Sequence, residues 1–182
     1  MLGTVYIALN DMVVDRHGVV AWDKILDEVK PDSEGVFTSI ETYQDTELTQ
    51  FIAAIAALEG ISPTDVEREF GQYLFAVLNR KSPIFTQLAP NLFSYLRSVE
   101  TVIHPDVKKR FTDSSLPTIT CSRGDARELL FEYRSARKLC YLSEGLILAA
   151  AQHYGEAVSL EHSSCMHRGA DHCSIRVQRH GE

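Results

Sequence analysis

The period of the apolar residues changes near Pro117, and that change limits the folds open to this chain. Before it, apolar positions recur at helical spacing; after it, they fall into short runs separated by turn residues. Helices first and strands second predict an α+β fold, with a helical half packed on a half that carries an antiparallel sheet. Val5, Ala8, Leu9, Met12 and Val13 predict a first amphipathic helix over residues 2–16, closed by Gly18. Trp22, Ile25, Leu26 and Val29 predict a second, stopped by Pro31. Asp45 is the expected cap of a third, which bears Leu48, Phe51, Ile52, Ile55 and Leu58 and ends at Gly60. Ser62-Pro63-Thr64-Asp65 combines a cap, a first-turn proline and a first-turn acid, and so begins a fourth. Gly71 lies inside that helix at a cost of about 1 kcal/mol relative to alanine, which predicts that something packs close to its backbone, in the simplest case another helix.

Ser82-Pro83 and Pro90-Asn91 open two more helical runs. The second carries Phe93, Leu96, Val99 and Ile103 on one face and leads to His104, where Pro105 disfavours helical geometry. Beyond Pro117, residues 118–121 and 126–135 read as strands joined by a Ser122-Arg123-Gly124-Asp125 turn. Cys140 to Tyr154 reads as a helix ended by Gly155. Residues 156–162 and 173–177 complete the sheet around a Gly169-Ala170-Asp171 turn.

Composition narrows the function classes. At 182 residues and 45% hydrophobic, the chain suffices for one domain, or two closely packed subdomains, able to enclose a cofactor. A net charge of -7 disfavours generic binding to nucleic acid or to an anionic membrane. The longest apolar run, Gly145–Ala151, falls far short of the ~18 residues of a membrane span, and the amino terminus lacks the basic region of a signal peptide. Four cysteines are too few for a disulfide scaffold, so a cytoplasmic location with reduced or metal-bound thiols is expected.

Two groups of residues carry chemistry. On a strand, Tyr133, Ser135 and Arg137 would point the same way, and two hydroxyls beside a guanidinium match a pair of carboxylates. A polar strand facing solvent has the same spacing. His104 alone is compatible with an ordinary surface or core histidine, but its apolar run would let it enter a dry pocket. Near the carboxyl end, Cys140, His162, Cys165 and Cys173 offer three thiolates and an imidazole, a donor set suited to tetrahedral zinc. His167 and His172 are rival ligands, and metal-free buried or redox-active thiols are the alternative. Cys121 stands outside the group.

Taken together, His104, Pro117 and Tyr133-x-Ser135-x-Arg137 resemble the haem–nitric oxide/oxygen binding (H-NOX) family, the sensor domain related to that of soluble guanylate cyclase. Met1-Leu-Gly3-x-Val5, Asp11-Met12-Val13, and Trp22 with Ile25-Leu26 are similar to that family too, so the resemblance spans essentially the whole chain. It implies one domain over residues 1–182, with a distal helical subdomain (1–62), a proximal subdomain (63–182) and haem b between them. It implies that His104 is the proximal iron ligand and that Tyr133, Ser135 and Arg137 bind the propionates. Pro117 would press on the macrocycle and Val5 would pack on its edge. Family members that hold oxygen have a distal tyrosine where this chain has Leu142; the accessory positions align with Leu9 and Leu74, and Leu78 adds to the same apolar wall. Nitric oxide and carbon monoxide binding without oxygen binding is therefore expected.

The resemblance also implies that the protein is not an enzyme. Nitric oxide would break the iron–His104 bond, and the resulting shift would regulate a partner in trans. Family precedent offers a cytoplasmic histidine kinase of a two-component system, or a cyclic-di-GMP enzyme. A subset of the family carries a Cys/His zinc site at Cys140, His162, Cys165 and Cys173, which implies a structural Zn²⁺. A zinc/thiol redox switch is the competing function. A peroxidase-like haem enzyme is opposed by the apolar distal set.

Overall fold

Residues 1–112, 114–123 and 127–181 are described by the computed structural model. Its first four helices are α1 (Gly3–His17), α2 (Val19–Val29), α3 (Asp45–Glu59) and α4 (Pro63–Lys81). Their limits follow local chemistry. Gly18 turns to φ 81° and its N–H donates to the Val14 carbonyl, closing α1. Gly60, left-handed at φ 68°, closes α3 in the same way. Ser62 Oγ accepts the Asp65 N–H, with Pro63 in the first turn of α4. At the start of α3 the expectation needs correction. Gln44 precedes the first turn, and Asp45 is already helical, with its carboxylate 2.8 Å from the terminal amine and 2.7 Å from Arg137. Leu58, expected on the buried face of α3, is 47% exposed, so the core stripe stops at Ala56.

Helices α5 (Ile84–Leu88) and α6 (Leu92–Ser98) follow, and Asn91 caps α6 by accepting the Ser94 N–H. The chain then winds through a wider π-helical turn at Val99–Ile103 before α7 (His104–Arg110). Contrary to expectation, His104 has helical geometry, with φ -60° and ψ -42°. Pro105 follows residues that are already helical, Ile103 and His104, and it is accommodated beside the wider π turn, where the regular helical hydrogen-bond ladder is already interrupted. The break in the helix is instead the π turn, in which the His104 N–H reaches back to the Val99 carbonyl.

The sheet comprises β1 (Thr118–Arg123), β2 (Glu128–Arg134), β3 (Ala157–Ser164) and β4 (Cys173–His180), with α8 (Cys140–His153) between β2 and β3. The strands lie in the order β1-β2-β4-β3, and each neighbouring pair is antiparallel. Leu129, Phe131 and Tyr133 alternate onto the buried face of β2, as the two-residue period requires. Gly124, Asp125 and Ala126, which belong to the expected turn and strand start, lie outside the described residues. Strand β2 ends at Arg134, so Ser135 and Arg137 are not on a strand. They lie in a turn before Lys138, itself left-handed at φ 55°.

Two apolar cores result. The first joins α1 to α4 with Leu139 and Leu142; the second joins α6, the sheet and α8 with Phe75 of α4. Helix α4 thus contributes to both cores, and its contact with α8 is backbone on backbone. A Cβ on Gly71 would collide with the Leu142 carbonyl, and one on Gly145 with the Arg68 carbonyl. This is the close approach expected at Gly71, and it fixes where Leu142 can stand. Among the described residues, no helix is long and apolar enough to cross a membrane.

Candidate functional site

A cavity of about 510 Å³ lies between the two cores. Its wall includes His104, Pro117, Tyr133 and Arg137, which the sequence places far apart, together with Val5, Leu74, Leu78 and Leu142. Leu9 is fully buried in the first core and is not among the lining residues, and Ser135 is not among them either. The Ser135 hydroxyl accepts the Arg137 backbone N–H at 3.3 Å, which stabilises the turn that carries the guanidinium.

Tyr133, Arg137 and Asp45 are among the polar groups on its wall. Tyr133 Oη accepts the Leu139 N–H at 3.1 Å, and burial raises the phenol above its ordinary range. Arg137 is only 10% exposed. Its Nε is buried without an aligned hydrogen bond, although Asp45 Oδ2 lies 2.7 Å away. Burial alone would raise the Asp45 carboxyl, but the terminal amine and Arg137 outweigh it and hold the group below its usual value. The guanidinium is thus already paired with the Asp45 carboxylate at the cavity edge, and the carboxylate of a bound group would have to share or replace that pairing.

His104 is held from behind. Its Nδ1 lies 3.0 Å from Glu100 Oε2, which leaves Nε2 as the nitrogen available to a metal. The same Glu100 oxygen accepts the Ile119 N–H at 3.2 Å. Sequence reasoning misses Glu100, although an acid four residues before a candidate ligand is a readable signal. It misses Tyr95 too, a lining residue whose ring packs edge-on against Phe75. These features fit a large planar metallocofactor: an apolar slot, one imidazole nitrogen and cationic and hydroxyl donors at one edge.

Leu74, Leu78, Leu142 and Leu146 give the cavity an apolar stretch of wall, with Ser143 next to them in the lining. Tyr73 Oη donates to Asp15 at 2.6 Å on the surface. Tyr141 packs against His162 and His167 beneath the Arg68 guanidinium. Both nearby phenols therefore point elsewhere. Behind Leu142, burial raises the Glu67 carboxyl to about 7, despite a hydrogen bond from the Leu142 backbone.

A second cluster stands at the start of α8. The ligand atoms of Cys140, His162, Cys165 and Cys173 all lie within 4.8 Å of one another. Cys173 pairs directly with Tyr133 across the β2–β4 ladder, and Cys140 begins α8, so the cluster adjoins the cavity edge. His162 Nδ1 lies 2.7 Å from Glu144 Oε1, while its Nε2 is buried without a partner. Arg68 donates to Glu144 at 2.6 Å. Burial would raise the Glu144 carboxyl, but His162 and Arg68 outweigh it and hold it low. Burial raises the Cys140 and Cys173 thiols. At Cys165 burial is outweighed by the His167 N–H, His162 and the neighbouring thiols, which lower it. The rival histidines are engaged elsewhere: His167 bonds the Lys138 carbonyl and His172 bonds Asp171. Cys121 donates to the Leu96 carbonyl at 3.6 Å, and burial pushes its thiol up to about 12.

Comparison with known proteins follows the same outline. A family model described as Haem-NO-binding matches residues 2–162. The crystal structure of an H-NOX protein from S. oneidensis in the Fe(II)NO ligation state is 31% identical, with a TM-score of 0.94 over 100% of both chains. The Fe(II) unliganded H-NOX protein from K. algicida is 26% identical, with a TM-score of 0.89 over 100% of this chain and 98% of that one. A point mutant of the T. Tengcongensis H-NOX protein shares the fold at 20% identity, with a TM-score of 0.85 over 100% of this chain and 98% of that one. A histidine, a proline and a buried arginine gathered on one apolar cavity, within a chain matched by the family model over most of its length, lead to one conclusion: the chain belongs to the H-NOX family of haem-binding gas-sensor domains.

Proposed function

We propose that this chain is a nitric oxide sensor in which His104 is the protein ligand to a ferrous haem b. The observation that carries this reading is the shared cavity wall: His104, its Nδ1 engaged by Glu100 and its Nε2 left for a metal, lines the same cavity as Tyr133 and Arg137. A bound haem would supply the gas-binding chemistry, and His104 Nε2 would hold its iron. Tyr133, Ser135 and Arg137 hold the propionates, with Arg137 exchanging part of its pairing with Asp45 for a carboxylate. Pro117 and Val5 press on the macrocycle. Leu74, Leu78 and Leu142 exclude water and offer bound dioxygen no hydrogen bond, and Leu9 supports that wall from the core behind.

The first core, residues 1–62 together with α4, acts as the distal side, and the second core, with α6, the sheet and α8, as the proximal one. A change in what holds His104 would be passed to α7, which it begins, and to β1 through Glu100. Differential contact with the two states regulates a signalling partner, a cytoplasmic histidine kinase or a cyclic-di-GMP enzyme, and the chain itself catalyses nothing. The S. oneidensis relative, solved in an Fe(II)NO state, supports nitric oxide as the ligand. The reading is tested by absorption spectra of the reduced, haem-loaded protein. Nitric oxide should give a five-coordinate spectrum, carbon monoxide should bind, and air should leave the ferrous spectrum without an oxygen complex. A stable oxygen complex overturns the selectivity.

A second reading rests on the Cys/His cluster. Three thiols and the orphaned His162 Nε2 fit a structural zinc ion, with Glu144 orienting the imidazole from behind. The zinc would pin the start of α8 to β3 and β4. Oxidation of those thiols would release it, making a redox switch the alternative function. About one zinc per chain is expected in freshly purified protein. Cys165→Ser should abolish it and cost about 4 kcal/mol or more, roughly 10 °C in melting temperature at this length. Metal-free protein of unchanged stability overturns the site.

A further inference from the structure

The carboxylate behind His104 is placed to do more than fill space. Glu100 lies in the π-helical turn, four residues before His104, and one of its oxygens serves two donors. One is the imidazole at Nδ1, 3.0 Å away; the other is the Ile119 N–H of β1, 3.2 Å away. The second donor matters because it fixes the first. Glu100 is 40% exposed, so a free side chain would wander; the β1 backbone holds it against the ring.

A carboxylate accepting Nδ1–H selects the tautomer whose lone pair is on Nε2. It also raises the basicity of that nitrogen, as carboxylates behind ligating histidines commonly do. A more basic Nε2 makes a stronger bond to iron, and that bond is the one a signal must break. Solvent around the partly exposed Glu100 side chain weakens the effect without abolishing it. We propose that Glu100 is a positioning residue that sets the strength of the iron–His104 bond, and so the threshold for His104 release, while linking the histidine to β1. This rests on the reading of His104 as the iron ligand.

The test uses the haem-loaded full chain. Glu100→Gln keeps the shape and an acceptor for Ile119 but removes the charge; Glu100→Ala removes both. Resonance Raman spectra of the ferrous protein should show the iron–histidine stretching band at lower frequency in Glu100→Gln, and lower still in Glu100→Ala. After nitric oxide is added, His104 should be released roughly tenfold faster or more. If Glu100→Ala does not fold, the glutamine variant decides alone. An unmoved band and release rate in Glu100→Gln overturn the proposal. His104→Gly separates the two layers. If it abolishes the band, the ligand assignment stands whatever Glu100 does; if the band persists, the assignment and this proposal fall together.

Discussion

Replacing His104 with glycine should leave the haem without a protein ligand, and millimolar-scale additions of imidazole should restore the wild-type ferrous spectrum. The geometry explains why a small molecule can substitute. His104 is only 14% exposed and its ring lines the cavity, so its removal opens a slot of imidazole size beside Glu100. Glu100 Oε2, still held by Ile119 N–H, would accept from the added imidazole as it does from the native ring. Losing the hydrogen-bond partner of a metal ligand typically weakens metal binding about 10–100-fold, and loss of the ligand itself should do at least that. Because haem binds the folded state, such a loss lowers stability by roughly 1.4–2.7 kcal/mol at fixed haem concentration. For a chain of this length, that is a fall of roughly 3–10 °C in melting temperature. In the partner assay the variant should behave as the nitric oxide-bound wild type does, with or without the gas. A histidine-ligated spectrum in His104→Gly would remove the basis for the whole reading.

Which parts of this arrangement can be read from the sequence depends on whether the signal is local. Ser62, Gly60 and Gly18 announce helix limits because caps and left-handed glycines act within one turn. Gly71 announces a close contact, but its partner, Gly145, lies 74 residues away and carries no mark of the pairing. Period alone puts Tyr133, Ser135 and Arg137 on one strand, whereas the strand stops at Arg134. The turn that follows sends Arg137 back to Asp45 on α3, a tertiary contact that no spacing rule contains. Read locally, Asp45 is a helix cap, its commonest use, and its pairing with Arg137 stays hidden. At His104 the rule for residues before proline loses to the π turn at Val99–Ile103, which breaks the regular hydrogen-bond ladder just where Pro105 has no N–H to give. The Cys/His cluster is the easier site to see. Thiol and imidazole are a narrow donor set, and the ladder that opposes Cys173 to Tyr133 brings the distant Cys140 to the other three.

Leu142→Tyr should convert the protein into one that holds oxygen. Leu142 is 8% exposed and lines the cavity from the first turns of α8. Its backbone cannot retreat, because the Leu142 carbonyl sits against Gly71 where any Cβ would collide. A phenol at this position must therefore extend into the cavity rather than push the helix away. Bound dioxygen carries partial negative charge, and a hydrogen bond to a charged acceptor contributes about 1.5–3 kcal/mol. That corresponds to roughly 10–150-fold in oxygen affinity. Tyr73 and Tyr141, the phenols nearest in sequence to Leu74 and Leu142, are committed elsewhere, to Asp15 and to His167. Leu142→Phe is the control, with nearly the same volume and no hydroxyl. Oxygen titration of the reduced proteins should give a stable complex in the tyrosine variant and none in the phenylalanine variant or the wild type. Equal oxygen binding in both variants would assign selectivity to pocket volume and not to the missing donor. Nitric oxide binding, which depends less on a distal hydrogen bond, should change far less than oxygen binding, so the substitution narrows the discrimination between the two gases without disturbing His104.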